Sequence, residues 1–200
     1  MKRNKWFSIV LSFVMFLTVF TAVQPSNTEA ATRNTPVVFV HGLTGSASNF
    51  VFIERYLRSQ GWSSNELYSI ELPSKQGHQE LNSTAIQQFV DEVLRETGAD
   101  KVNIVAHSMG GANSLYYIRN KGGDSKVEKL VTLGGANGLT TNIAPRGIET
   151  TSIYSSSDFI VASSLSRMYG ANNILIHGVS HVGLLNSFQV NRLIKSALEE

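Results

Sequence analysis

The stretch NIVAHSMGGAN, residues 103–113, places a serine between an apolar run and a pair of glycines. The residues two before and two after Ser108 are Ala106 and Gly110, and both are small. A strand that turns abruptly into a helix strains the serine backbone and leaves room only for small residues at these two positions. The pattern predicts such a turn, the elbow (residues 106–110), with the Ser108 hydroxyl as a candidate nucleophile. An ordinary serine cap of the following helix is the alternative.

A serine hydroxyl attacks a carbonyl only when a base takes its proton and a carboxylate orients that base. In the α/β-hydrolase arrangement to which such an elbow belongs, the serine comes first in the chain, the acid second and the histidine third. Only His177 and His181 follow Ser108. His177 directly ends an apolar run, whereas His181 lies in a glycine-bracketed loop that can carry its imidazole over the serine. We predict His181 as the base, and a structural, hydrogen-bonding role for His177.

Four acidic residues lie between the serine and these histidines: Asp124, Glu128, Glu149 and Asp158. The first three precede or begin predicted strands, which is the wrong end of a parallel sheet for a functional site. Only Asp158 follows a strand, in SIYSSSDF, at the end where Ser108 is expected. We therefore predict Asp158 as the orienting acid. Its alternative role is to cap the helix that follows.

Acyl transfer also requires backbone N–H donors that stabilise the oxyanion. The Met109 amide, at the start of the helix after the elbow, is one candidate. The loop VFVHGLTGS, residues 38–46, supplies the second, and we favour the Leu43 amide because Gly42 and Gly45 let this backbone approach the site. A glycine-rich loop can instead cradle phosphate, but this sequence contains neither the P-loop motif nor the dinucleotide-binding motif. His41, in the same loop, is expected to be a structural hydrogen-bonding residue.

The elements that must position these residues alternate between short apolar runs and helical patterns. We predict strands at 36–40, 66–72, 101–107, 127–135, 150–156 and 172–178, and helices at 49–61, 83–98, 109–121, near 159–168 and at 187–200. This alternation predicts an α/β fold of about six mostly parallel strands with helices on both faces. With 200 residues, 42% of them hydrophobic, the chain suits one domain with a sizeable core.

The first 30 residues have the pattern of an export signal. A basic start is followed by an apolar stretch of about 15 residues, residues 6–20, which is shorter than a membrane-spanning helix needs. A polar segment with small Ala30 and Ala31 as candidate cleavage positions comes next. We predict a cleaved signal peptide over residues 1–30, a single catalytic domain over 31–200, and secretion. A retained N-terminal anchor is the alternative.

Composition narrows the possible partners. Residues 1–30 carry three of the 17 basic and one of the 15 acidic residues, so 14 of each remain beyond them. Such a balance gives no indication of nucleic acid or an anionic surface as a partner. The five histidines show no metal-ligand spacing, and the chain has no cysteine. We therefore expect no metal, no cofactor and no disulfide.

The motifs HGLTG, AHSMGGAN, LVTLGGAN, TSIYSSSD and HGVSHVGLL, in this order, resemble those of the small secreted Bacillus lipases of the lipase A type. The resemblance implies a minimal α/β-hydrolase with no lid domain, which hydrolyses carboxylic esters, including triacylglycerols, without a cofactor. It places the nucleophile on Ser108, the acid on Asp158, the base on His181 and the oxyanion amides on Leu43 and Met109. The segments 72–84 and 136–150 depart from the family pattern and flank the expected cleft.

The expected partner is a lipid or a small neutral ester, because the residues beside the motifs are apolar. Among them Phe159 and Val182 are the predicted substrate-binding residues, whereas Ile160 and Leu185 could equally belong to the core. We expect a monomer with no nucleic-acid partner and no stable membrane insertion after cleavage. Two other functions stay open: a thioesterase or acyltransferase that uses the same triad, and a secreted binding module without catalysis.

Overall fold

The computed structural model describes residues 34–200, so the predicted signal peptide over residues 1–30 lies outside the described residues. Between residues 34 and 200, no helix has the length and apolar character needed to cross a membrane. This part of the chain alternates strands and helices: β1 Val37–Val40, α1 Val51–Ser59, β2 Leu67–Ser69, α2 Gln79–Thr97, β3 Val102–His107, α3 Met109–Asn120, β4 Val127–Leu133, β5 Glu149–Ser155, α4 Ser163–Ser166, β6 Asn172–Ile176 and α5 Phe188–Glu199.

The six strands form one parallel sheet in the order β2-β1-β3-β4-β5-β6. Strand β3 lies between β1 and β4, and Ala106 pairs with Val40 on one side and Thr132 on the other. Because the strands are parallel, their carboxyl ends meet at one edge of the sheet. The predicted α/β class, the number of strands and their parallel direction are confirmed.

Alternate side chains of the strands face two separate cores. Val37 and Phe39 of β1 pack on one face with buried residues of α1 and α5, such as Leu57 and Ile194. The neighbouring Val38 and Val40 pack on the other face with residues of α2 and α3. A parallel sheet covered on both faces explains why β1 and β3 are fully buried and almost continuously apolar.

Most predicted bounds differ from the observed ones by one or two residues, and α4 is shorter than the predicted segment near 159–168. Larger differences occur at the end of β2 and the start of α2. Strand β2 ends at Ser69 instead of continuing to Leu72, because the Leu72 amide donates to the His41 imidazole and not to a neighbouring strand. Helix α2 begins at Gln79, four residues before the predicted start, because His78 Nδ1 accepts from the Leu81 amide and caps the first turn. Apolar periodicity misses this turn, because its one apolar residue, Leu81, is 49% exposed and is not among the buried residues of the helix.

The central sheet should contribute more to stability than its edge. Leu130 of β4 is fully buried in the core shared with α2 and α3, whereas Leu175 lies on the edge strand β6 and is 47% exposed. We expect Leu130→Ala to lower the free energy of unfolding by about 2–5 kcal/mol, because it leaves a cavity. The matched variant Leu175→Ala should cost less than about 1 kcal/mol. Urea unfolding of both variants checks this, and equal losses would contradict the two-sided core.

Candidate active site

Ser108 joins β3 to α3 in a strained backbone conformation, with φ 56° and ψ −128°. Its amide donates to the Leu133 carbonyl at 3.1 Å, and its own carbonyl accepts from the Gly111 and Ala136 amides at 3.0 and 2.9 Å. The side chain makes no capping hydrogen bond to the helix that it precedes. Since the backbone bonds hold the residue, its hydroxyl is available for chemistry, and the alternative of a simple helix cap is wrong.

The small residues of the elbow are required by close backbone approach. A Cβ atom on Gly110 would overlap the Val40 carbonyl oxygen and lie 2.8 Å from that of His41. A Cβ atom on Gly42 would lie 2.6 Å from the Ser108 Cβ. Ala106 is fully buried within β3. The structure therefore leaves no room for a side chain at Gly110, and the size requirement at Ala106 stays a prediction.

Asp158 and His181 form a buried pair at the same edge of the sheet. His181 Nδ1 lies 2.7 Å from Asp158 Oδ2, and Asp158 Oδ1 accepts from the Ile160 and Val161 amides at 2.9 Å each. The Asp158 carboxylate can only accept hydrogen bonds, so His181 Nδ1 must carry a proton and donate it to Oδ2. Nε2 is thereby left as the atom that can accept a proton. Asp158 does not cap α4, whose first flanking residue is Ala162.

The serine and the Asp158–His181 pair meet around the turn that follows β4. A Cβ atom on Gly134 would lie 2.8 Å from Asp158 Oδ2 and 3.3 Å from His181 Nδ1. The preceding residue, Leu133, accepts the hydrogen bond from the Ser108 amide. Within residues 34–200 no hydrogen bond joins the Ser108 hydroxyl to His181, and such bonds often close only with substrate bound.

The alternatives to Asp158 and His181 lie elsewhere. His177 is exposed, and its Nδ1 pairs with the Ser156 hydroxyl at 2.7 Å, which fits the structural role predicted for it.

The three other acidic residues lie away from the carboxyl ends of the strands. Glu149 is the first residue of β5 and forms an ion pair with Lys129 at 3.3 Å. Glu128 accepts from the Thr35 hydroxyl at the amino ends of the strands. Asp124 sits in a short 3-10 helix before β4. The structure thus brings together Ser108, Asp158 and His181, and their catalytic roles stay a prediction.

The loop after β1 approaches the elbow as expected. The Leu43 amide donates to no acceptor in the described part of the chain, and Met109 is the first residue of α3, where helical N–H groups lack partners. His41 is fully buried: its Nε2 accepts from the Leu72 amide at 3.0 Å, so Nδ1 carries the proton toward the Gly42 carbonyl at 2.9 Å. Burial lowers the pKa of His41, which keeps the ring neutral. The structural role predicted for His41 is confirmed.

Apolar side chains flank this edge of the sheet. Phe159, which follows Asp158, is 95% exposed, and Val182, which follows His181, is 59% exposed. Ile160 is also exposed, whereas Leu185 is buried in the core beside α5 and is unavailable to a ligand. In the described range 34–200, no group of three His, Cys, Asp or Glu residues could hold a metal ion.

His107 is a buried residue of the site that sequence reasoning did not single out. Its ring lies 4.5 Å from the His181 ring, and its Nε2 donates to the His181 carbonyl at 3.1 Å. Burial and the neighbouring His181 lower the pKa of His107 to about 4, so the ring is neutral near neutral pH. Its position beside the serine in the sequence was the only available signal, because the partner atom lies 74 residues away.

A second unforeseen feature is a buried polar network behind the elbow. Asn137 Nδ2 donates to the Thr132 hydroxyl at 3.0 Å and to the Ser166 carbonyl at 2.8 Å. Ser152 donates to the same Ser166 carbonyl at 2.7 Å. This network fixes the end of β4 near the turn whose Ala136 amide binds the Ser108 carbonyl. No sequence pattern marks these residues, because they meet only through the sheet.

The fold and this arrangement of side chains define an α/β-hydrolase. A lipase of Bacillus licheniformis in its mature form has the same fold, with a TM-score of 0.71 and 17% identity over 84% of this chain and 93% of that one. The family model for class 2 lipases matches residues 34–148. The chain therefore belongs to the class 2 lipase family, and the resemblance to lipases of the α/β-hydrolase superfamily is confirmed.

Two curated relatives carry the name triacylglycerol lipase. One, from Burkholderia plantarii, is 36% identical over 103 residues, which are 48% of this chain and 28% of that protein. The other, from Pseudarthrobacter phenanthrenivorans, is 36% identical over 99 residues, which are 46% of this chain and 30% of that protein. The matched region thus spans less than a third of the length of these relatives.

Burial of His107 predicts a loss of stability in acid. The unfolded chain binds a proton at this residue near the ordinary pKa of 6.5, whereas the folded chain binds it only near about 4. Burial of neutral His107 therefore makes its full contribution to the free energy of unfolding above pH 6.5. As the pH decreases toward 4, this contribution falls by about 3 kcal/mol. Urea unfolding gives the loss in free energy of unfolding between pH about 7.5 and pH about 4. This loss should be smaller in His107→Gln than in the wild type, by about the same 3 kcal/mol. The exposed control His177→Gln should behave as the wild type, and identical losses in all three proteins would contradict the account.

Proposed function

We propose that this chain is a secreted serine ester hydrolase, a triacylglycerol lipase or carboxylesterase, that acts on neutral aliphatic esters. The observation that carries the proposal is the uncapped Ser108 hydroxyl on a strained elbow, beside a His181 held by Asp158 at 2.7 Å. A strained, uncapped serine next to an oriented imidazole is what nucleophilic acyl transfer requires. The name of the two curated relatives supports triacylglycerols as substrates.

The proposed first step forms an acyl-enzyme. His181 Nε2 takes the proton of the Ser108 hydroxyl while the serine oxygen attacks the ester carbonyl. The carbonyl oxygen becomes an oxyanion that accepts from the Leu43 and Met109 amides, and loss of one such donor elsewhere costs about 3–4 kcal/mol. The tetrahedral intermediate then expels the alcohol, which leaves with the proton from His181.

The second step releases the acid. Water gives a proton to His181 Nε2 and attacks the acyl-enzyme carbonyl, and collapse of the second intermediate returns that proton to the Ser108 oxygen. Asp158 stays ionised throughout and stabilises the imidazolium through its bond to Nδ1. No redox step or group carrier enters this sequence, so the chemistry needs no cofactor.

The apolar surroundings support a neutral substrate. Phe159, Ile160, Val182 and Leu43 all present exposed apolar surface near the proposed reacting atoms. An aliphatic acyl chain gains free energy by covering such surface, at about 25 cal/mol per Å² removed from water. A charged acyl group would lose hydration there without a matching partner. We propose that the protein does this work as an extracellular monomer.

Hydrolysis of p-nitrophenyl esters from acetate to palmitate, and of emulsified triacylglycerol, tests the proposal. We expect activity on these neutral esters to fall by at least about 10³-fold in Ser108→Ala and in His181→Ala, because each removes a group that acts in bond making. His177→Ala is the matched control and should keep nearly full activity. A large loss in His177→Ala with little loss in His181→Ala would contradict the assignment of the base.

Export is tested separately with the full-length chain in a secreting Gram-positive host. We expect the protein in the culture medium, with a mass that corresponds to removal of about 30 N-terminal residues. A variant in which the three basic residues before residue 6 are replaced by serine should accumulate inside the cells. Uncleaved protein that stays with the membrane fraction would favour the retained anchor.

A further inference from the structure

A segment that joins β2 to α2 lies directly against the loop of the proposed oxyanion donors. We call residues 71–77 the strap and residues 41–45 the oxyanion loop. All of the strap except its first residue falls within 72–84, the region that departs from the family pattern. A Cβ atom on Gly77 would lie 2.7 Å from Leu43 Cδ2 and 2.8 Å from Met109 Cγ. The strap therefore packs against both proposed donor residues.

Two main-chain groups of the strap form hydrogen bonds with the oxyanion loop. The Thr44 amide donates to the Lys75 carbonyl at 2.9 Å, and the Leu72 amide donates to His41 Nε2 at 3.0 Å. Thr44 has a φ of 54°, a conformation that only glycine adopts without strain. A non-glycine residue keeps such a conformation only where its surroundings fix it. The strap supplies part of that restraint one residue after Leu43.

The side chain of Lys75 adds a third connection. Its Nζ donates to the Gly45 carbonyl at 2.8 Å and forms an ion pair with Glu71. Glu71 Oε2 in turn accepts from the Ala47 amide at 2.9 Å, just beyond the oxyanion loop. One ammonium group therefore links the end of the loop to a carboxylate of the strap. Charge-assisted bonds of this kind are stronger and shorter than neutral ones.

The strap is itself fixed to α2. Asn82 is fully buried in the first turns of that helix, where its Oδ1 accepts from the Ser74 amide and its Nδ2 donates to the Ser74 carbonyl, each at 3.0 Å. The strap can therefore transmit the position of a rigid helix to the loop. A freely moving segment could not hold the strained Thr44 in place.

We propose that Lys75 is a positioning residue: through Gly45 and Glu71 it holds the oxyanion loop so that the Leu43 amide points at the developing oxyanion. This inference rests on the proposed function, since it assigns a role within the same acyl transfer. The ammonium group itself stays at the far end of the loop, bound to the Gly45 carbonyl. Its effect should therefore appear in the transition state and not in the binding of the ester.

The test compares Lys75→Met with Lys126→Met. Lys126 is a suitable control because it is similarly exposed, 34% against 36%, and forms an ion pair with Asp91 on the surface. We expect kcat on a p-nitrophenyl ester to fall roughly 10–100-fold in Lys75→Met, with KM within about threefold of the wild type. Lys75→Arg retains a cationic donor and should recover most of kcat. Lys126→Met should leave kcat and KM unchanged.

Amide hydrogen exchange of the peptide that covers residues 41–47 provides a readout independent of activity. We expect faster exchange in this peptide in Lys75→Met and unchanged exchange in Lys126→Met. A wild type without ester activity would overturn the proposed function, while exchange would still decide whether Lys75 holds the loop. Unchanged kcat or unchanged exchange in folded Lys75→Met would overturn the proposal, as would a failure of Lys75→Arg to restore kcat.

Discussion

The conformation of Ser108 is the constraint on which the rest of the site depends. A non-glycine residue at φ 56° costs about 1–3 kcal/mol, and three main-chain hydrogen bonds around it and the close packing of its neighbours help to keep it there. Those bonds come from the end of β4, from the first turn of α3 and from the turn after Gly134. The strain separates the hydroxyl from the helix that it would otherwise cap. The same geometry forbids a Cβ atom at Gly42 and Gly110.

A second ordered part of the site, built on the residues after β5 and the loop after β6, carries the proposed acid and base, Asp158 and His181. Asp158 accepts three hydrogen bonds, two from its own turn and one from His181, and this fixes both the carboxylate and the tautomer of the imidazole. His107 ties the backbone of His181 to β3, the strand that carries the serine. A hydrogen bond from the neutral, buried His107 to the His181 carbonyl therefore links the strand of Ser108 to the loop of His181. Burial of this histidine supports the site at neutral pH and weakens the fold in acid.

Local patterns account for what the sequence could predict. The elbow is encoded by residues within two positions of Ser108, and the strand ends follow from short apolar runs, so the fold class and the edge that carries the site follow from the sequence alone. The choice of Asp158 and His181 used only chain order and the ends of strands. Their proximity in the structure agrees with that choice, while the catalytic roles stay to be measured.

Features that depend on distant partners could not be predicted. The end of β2 depends on a bond from Leu72 to His41, 31 residues earlier, and the first turn of α2 depends on the His78 side chain. The low pKa of His107 arises from burial, which no local pattern encodes. The strap was visible only as a region of unusual composition, because the contacts of Lys75 with Gly45 and of Gly77 with Leu43 cross between elements. Long-range contacts of this kind fix the conformation of the site. Local sequence patterns, in contrast, determine which edge of the sheet carries it.

Covalent labelling is the most direct measurement of the central claim, that neighbouring side chains make the Ser108 hydroxyl reactive. The folded protein is treated with an alkyl fluorophosphonate, and intact mass and peptide mapping count and locate the adducts. The account predicts one adduct per chain, on Ser108, that is absent from Ser108→Ala and from urea-unfolded protein. A folded wild type that takes up no label, or takes it up on another residue, would contradict it.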